Sequence, residues 1–157
     1  MNIQVREFQP GDEIAFRSLN EAWITASFRL EDEDVAALGN PQHHILDAGG
    51  HIYFAVQPQT GEVLGCCALL AMEQGCFEVA KMAIAERYRG QGLGKQLLRA
   101  TIDAARTLGA RRLYLVTHHS LENAIGLYES EGFVHLRPED APPSPYARAT
   151  VFMERFL

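Results

Sequence analysis

Glu78-Val79-Ala80-Lys81-Met82-Ala83-Ile84-Ala85 runs straight into Glu86-Arg87-Tyr88-Arg89-Gly90-Gln91-Gly92-Leu93-Gly94-Lys95. The first part is mostly apolar, and Phe77 to Ala85 reads as a strand. The second part is a glycine-rich loop that opens a helix from about Leu93 to Leu108. Leu93, Leu97, Leu98, Ala105 and Leu108 form the apolar stripe of that helix, and Gly109 ends it. Glycines let backbone N–H groups approach an anion with no Cβ in the way. The first amides of a helix are unpaired and lie at the positive end of its dipole. Strand, glycine loop and helix start therefore make a phosphate cradle, to which Arg87, Arg89 and Lys95 add charge. A plain turn with solvated arginines is the weaker reading, because three alternate glycines and three cations coincide.

The residues next to the loop narrow the ligand. A nucleotide P-loop needs Ser or Thr after its lysine to reach magnesium, and Gln96 follows Lys95. A dinucleotide fold needs an acid at the end of the next strand to hold a ribose, and that strand ends Leu115-Val116-Thr117.

Working outward, Ile3 to Phe8 alternates as a strand. Asp12 is placed to cap a helix carrying Ala15, Phe16, Leu19, Ala22 and Trp23. The acidic run Glu31-Asp32-Glu33-Asp34 leads into a second short helix. Gly49-Gly50 breaks the chain before a strand from His51 to Gln57. Thr60-Gly61 turns it into Val63 to Met72, and Glu73-Gln74-Gly75 turns again. These three strands form an antiparallel meander. After the cradle, Leu113 to Thr117 is a short apolar strand. Ser120 is placed to cap a helix with Leu121, Ala124, Ile125 and Tyr128 on one face. Gly132 ends it before a strand from Phe133 to Leu136. A proline-rich loop from Pro138 to Pro145 precedes a last strand, Thr150 to Phe156. The expected fold is α/β (α+β) in one domain over residues 1–157: a mixed, mostly antiparallel sheet of six to seven strands with about four helices.

The net charge of −6 argues against a nucleic-acid partner and against an anionic membrane surface. Cys66, Cys67 and Cys76 form no CxxC pair, so no metal site is expected. Adjacent strand residues point to opposite faces, so Cys66 and Cys67 read as small buried hydrophobes. The N-terminus does not read as a signal sequence, and Val63 to Met72 reads as too short to span a bilayer. A cytoplasmic protein is expected.

The chain resembles the Gcn5-related N-acetyltransferase (GNAT) superfamily. Its cofactor signature, Arg/Gln-x-x-Gly-x-Gly, is matched by Arg89, Gly92 and Gly94. A second segment is matched by Asn123-Ala124-Ile125-Gly126-Leu127-Tyr128-Glu129-Ser130-Glu131-Gly132-Phe133. Glu78 to Ile84 is similar to the family's central splayed strand. The order of elements agrees over nearly the whole chain, although the N-terminal third agrees only in general layout.

This resemblance implies an acyl-CoA N-acyltransferase fold, splayed between the fourth and fifth strands, that binds acetyl-CoA without a metal. Its pyrophosphate would sit on the amides of Gly90, Gln91, Gly92, Leu93, Gly94 and Lys95, with Arg87 and Arg89 nearby. Its pantetheine would pair with the backbone around Met82, Ala83 and Ile84, with Asn123 within reach. Tyr128 falls on the family's general acid. Glu78 falls on a position used by some members as general base, and His118 or His119 is the alternative. A strand carboxylate paired with Lys81 is the structural reading of Glu78, and a core tyrosine is that of Tyr128.

The acceptor, a small-molecule or peptide amine, is the least legible part. Trp23, Phe28, Tyr53 and Tyr146 are its pocket candidates. Arg148 is a candidate holder of a substrate carboxylate, and the acidic run lies near the rim, where a solvated face is the ordinary reading. Transfer of a longer acyl group and a non-catalytic acetyl-CoA sensor stay open as alternatives. A homodimer through the last strands is compatible with the layout.

Overall fold

The computed structural model describes residues 2–157; Met1 lies outside them. The described residues form a seven-stranded sheet in the order β1-β2-β3-β4-β5-β7-β6. The strands are β1 (Gln4–Glu7), β2 (His51–Val56), β3 (Val63–Ala71), β4 (Cys76–Ile84), β5 (Arg112–Thr117), β6 (Val134–Leu136) and β7 (Val151–Phe156). The α-helices are α1 (Glu13–Ser27), α2 (Asp32–Gly39), α3 (Leu93–Thr107) and α4 (Glu122–Ser130). Neighbouring strands run antiparallel, except that β4 and β5 are parallel. The expected mixed sheet, meander first, is observed.

Strand alternation splits the core into two layers. Tyr53, Ala55, Cys67, Leu69 and Val79 face α3 and pack on Leu97, Leu98, Ile102 and Ala105. Ile52, Phe54, Cys66 and Ala68 face the other way, onto Phe16 and Ile24 of α1 and Leu38 of α2. Cys66 and Cys67 thus fill opposite layers as free, buried thiols. Leu108, expected in the α3 stripe, is exposed, because the helix closes one residue earlier. Gly109 (φ +85°) takes the left-handed turn there, and Ala110 N–H reaches back to Ala105 O.

Two expected helix caps are not made. The Asp12 carboxylate instead accepts Arg6 (2.7 Å) and the Gln9 amide (2.7 Å), tying the β1–α1 turn. Ser120 lies before the helix start, and its hydroxyl sits 2.7 Å from His118 Nδ1. In both places a charged or imidazole partner earlier in the chain, Arg6 of β1 or His118, engages the side chain in place of the helix amides.

Two departures from regular pairing create the site. The β4–β5 ladder is short: Cys76, Phe77 and Glu78 pair with Arg112, Leu113 and Tyr114. Beyond Glu78 the strands diverge. On the other side of β4, Cys66 pairs with Ala83 and Ala68 with Ala80, so Cys67 opposes both Lys81 and Met82. This is a β-bulge. Lys81 carries it at φ +52°, the one positive φ outside glycine among the described residues.

Candidate active site

The divergence of β4 from β5 opens a cleft of about 780 Å³. Its walls include Glu78, Lys81, Met82, Ala83 and Ile84 of β4, and Val116 and Thr117 of β5. The loop contributes Arg89, Gly90, Gly92, Leu93 and Gly94, and α4 contributes Asn123 and Tyr128. Residues read separately along the chain are brought together here.

The loop is shaped by backbone conformation. Gly90 (φ +77°) and Gly92 (φ +80°) are left-handed, which a side chain resists. The first α3 bond runs from Gln96 N–H to Gly92 O (3.2 Å), so the amides of Leu93, Gly94 and Lys95 precede the ladder. A Cβ on Gly94 would stand 3.4 Å from Met82 Cε and 3.6 Å from Leu127 Cδ2, ordinary contact distances that place the helix start against β4 and α4. Arg89 donates to Ile84 O (3.1 Å) beside the cleft. Arg87 has a different partner: it pairs with Glu62 and lies over Tyr88, away from the walls. Gln91 and Lys95 are exposed and lie outside the walls.

Glu78 is half-buried and faces the α1/α2 layer, opposite Leu70. Its carboxyl has no hydrogen-bond partner among the described residues. Burial pushes it up to about 7, against the opposing effect of Lys81. It is not the ion-pair partner of Lys81, because that ammonium binds Asp34 Oδ1 at 2.6 Å.

Tyr128 faces the other layer, edge-on to Phe133 at 6.0 Å. Burial raises its phenol, so it stays protonated throughout the physiological range. Its hydroxyl makes no bond within the described residues. Glu78 and Tyr128 therefore belong to opposite faces of the sheet and meet the same cleft because the sheet is open between β4 and β5.

His118 lines the cleft, and its Nδ1 accepts the Ser120 amide (3.1 Å). His119 is tied to Thr150 Oγ1 (3.0 Å).

At the far end stands a cluster that sequence reading missed. Asp34 is fully buried and accepts Lys81, both Arg148 terminal nitrogens (2.6 Å each) and the Glu31 amide (2.9 Å). Burial would raise its carboxyl, but the bonds from Arg148, Lys81 and Glu31 outweigh that and hold it well below the usual range. Lys81 also donates to Tyr146 OH (2.9 Å), and Arg148 lies over the Tyr146 and Trp23 rings. The fork of Arg148, expected to meet a substrate carboxylate, is thus engaged by Asp34. Of the aromatic pocket candidates, Trp23 and Tyr146 line the cleft. Phe28 stands behind Trp23, edge-on to it at 6.5 Å. Tyr53 belongs to the core against α3, where strand parity puts it. A lysine within the apolar run Val79 to Ala83 was the available signal, since a buried lysine needs a carboxylate.

The acetyltransferase (GNAT) family model matches residues 11–133, which hold the cradle, the splayed strand and α4. The chain belongs to the GNAT acetyltransferase family. The uncharacterized N-acetyltransferase YjgM of Escherichia coli is 36% identical over 120 residues, spanning 72% of this chain and 71% of that one. A GNAT acetyltransferase of Staphylococcus aureus superposes with a TM-score of 0.87 at 21% identity, over 99% of each chain. N-acetylglutamate synthase of Neisseria gonorrhoeae, solved with coenzyme A and N-acetylglutamate, superposes at 0.75 and 20% identity, over all of this chain but 35% of that protein. This GNAT chain is an N-acetyltransferase by family. Among its described residues no cluster of His, Cys, Asp and Glu is placed to hold a metal. No described helix is long and apolar enough to cross a membrane.

Proposed function

We propose that the protein transfers the acetyl group of acetyl-CoA to a primary amine by direct attack, with both substrates in one cleft. The reading is carried by the opening between β4 and β5, which joins a phosphate cradle, a half-buried carboxyl and a protonated phenol. The relative solved with coenzyme A supports the choice of thioester substrate. The cradle suits its pyrophosphate: the free amides of Leu93, Gly94 and Lys95 point the helix dipole at it. Arg89 is the nearest cation in the walls. The β4 edge beyond Glu78 lacks a β5 partner, so Met82 to Ile84 offer backbone groups to the pantetheine amides, as a strand edge does.

A primary amine has an ordinary pKa of about 10.4, so it arrives protonated and must lose a proton before attack. Glu78 takes that proton from the α1/α2 side, its raised proton affinity making it an effective base near neutrality. Tyr128 returns one to the leaving thiolate from the α3/α4 side. The Met82 amide polarises the thioester carbonyl. The acceptor enters past Trp23, Leu70 and Tyr146.

The test is the release of free CoA over a panel of amines, with pH profiles of kcat/KM for wild type and Glu78→Gln. Wild type should lose rate below about pH 7. Glu78→Gln should lack that acid limb and be slower by on the order of 100-fold. An unchanged profile would clear Glu78 of the role. Acetyl-CoA binding without thiol release over the whole panel would point to a sensor.

A further inference from the structure

Lys81 is doubly unusual: it is a buried lysine and the one described residue outside glycine with positive φ. Strain of this kind persists only where the surroundings over-determine it, and it clusters at functional sites. Along a regular strand, residues three apart point to opposite faces. Glu78 and Lys81 are three apart, yet the bulge at Lys81 and Met82 gives both side chains to the α1/α2 layer. The ammonium is fixed there by Asp34 at 2.6 Å and Tyr146 OH at 2.9 Å. Asp34 is itself fixed by Arg148 and by the turn entering α2.

We infer that Lys81 is a positioning residue for Glu78: its ammonium, anchored on buried Asp34, is the fixed cation that favours the ionised carboxylate at the acceptor end of the cleft. The inference rests on the reading of Glu78 as the base. The bulge costs ladder pairing and backbone strain, and it places a positive charge on the same face as a carboxyl that has no other ionic partner. Without that charge, burial acts on Glu78 unopposed, and a smaller fraction of the carboxylate is ionised at neutral pH to accept the amine proton.

The other groups around Glu78 do not supply this effect. Tyr114 of β5 stands beside it in register, with its hydroxyl buried and unpartnered and its phenol pushed up to about 12. Glu154 of β7 lies one strand further on, near Arg112 (3.6 Å). Tyr146 is protonated, its phenol raised by burial. Arg148 and Lys81 share Asp34, but Arg148 has a second carboxylate, Glu31, at 3.5 Å, and stands outside the strand of Glu78. Lys81 is the cation on the strand of Glu78 itself, and Asp34 opposes the burial that lowers its own proton affinity.

The test follows the Glu78 carboxyl directly by 13C NMR titration, so that it does not depend on turnover. The wild-type midpoint is expected at about 7. In Lys81→Met, where Asp34 keeps its paired Arg148, the midpoint should rise by about one unit or more. Lys81→Gln keeps a donor for Asp34 without the charge and should give the same rise. Lys81→Arg should bring the midpoint back towards wild type. The acid limb of kcat/KM should move with the midpoint in each variant. A midpoint unmoved in Lys81→Met and Lys81→Gln overturns the inference. If the limb survives Glu78→Gln while the titration still responds to Lys81, the base assignment fails and the electrostatic coupling stands.

Discussion

Glu78 and Tyr128 are both half-buried, and neither oxygen terminus has a partner among the described residues, yet burial acts on them to opposite ends. A carboxyl moved from water towards an apolar setting holds its proton to about 7, which puts it in range to accept one from an amine. A phenol in the same setting holds its proton more firmly, which suits a donor to a leaving thiolate. Tyr128→Phe keeps the ring against Phe133 and removes only the proton. The expected outcome is a fall in kcat on the order of 100-fold with acetyl-CoA affinity near wild type, read by initial rates and calorimetric binding. Equal turnover would remove Tyr128 from the mechanism. The side chains themselves were legible: Glu78 and Tyr128 lie in motifs. The Lys81–Asp34–Arg148 cluster was not, because its members are separated by 47 and 114 residues and meet only through packing.

At the scale of elements, the glycine loop and the bulge do complementary work. The loop brings free amides to the mouth of the cleft, and the bulge shifts the parity of β4 so that Met82 and Ile84 face α3 while Ala83 faces α1. Gly92 has open space around its Cβ position, so a substitution there meets no clash and only the left-handed backbone resists it. Gly92→Ala should therefore cost about 1 kcal/mol of stability in denaturant melts. It should also raise the KM for acetyl-CoA several-fold while kcat changes little. A KM equal to wild type would show that the loop geometry is not what holds the cofactor. The helices and strands were readable from periodicity and from glycine punctuation. The caps at Asp12 and Ser120 were misread because Arg6 and His118 compete for those oxygens, and such competitors are visible only once the turns are built. Arg87, placed at the cradle by its sequence neighbours, turns outward to Glu62 on the β2–β3 turn.

For the whole molecule, the burial of Glu78 is a stability cost above neutral pH. The folded state binds the Glu78 proton more tightly than the unfolded chain, whose value is 4.5. The stability linked to that proton is full below about pH 4.5 and is lost as pH rises through about 7. Glu78→Gln removes the loss. It should be more stable than wild type at about pH 8, by roughly 3 kcal/mol, and equal to it at about pH 4. Thermal melts at the two pH values check this, and a variant no more stable at the higher pH would contradict the burial of Glu78.

The succession of elements along the chain, the glycine-rich loop at the start of α3 and the family were all present in the sequence. They depend on local signals: two-residue and 3.6-residue periodicity, glycines at turns, and motif residues close together in the chain. The tertiary structure alone decided which charges meet. A bulge reverses side-chain parity without altering composition, so Glu78 and Lys81 could not be assigned to one face by counting. Asp34 looks like part of a solvated acidic run until α2 packs it beneath the last loop, where two cations offset the cost of burying it.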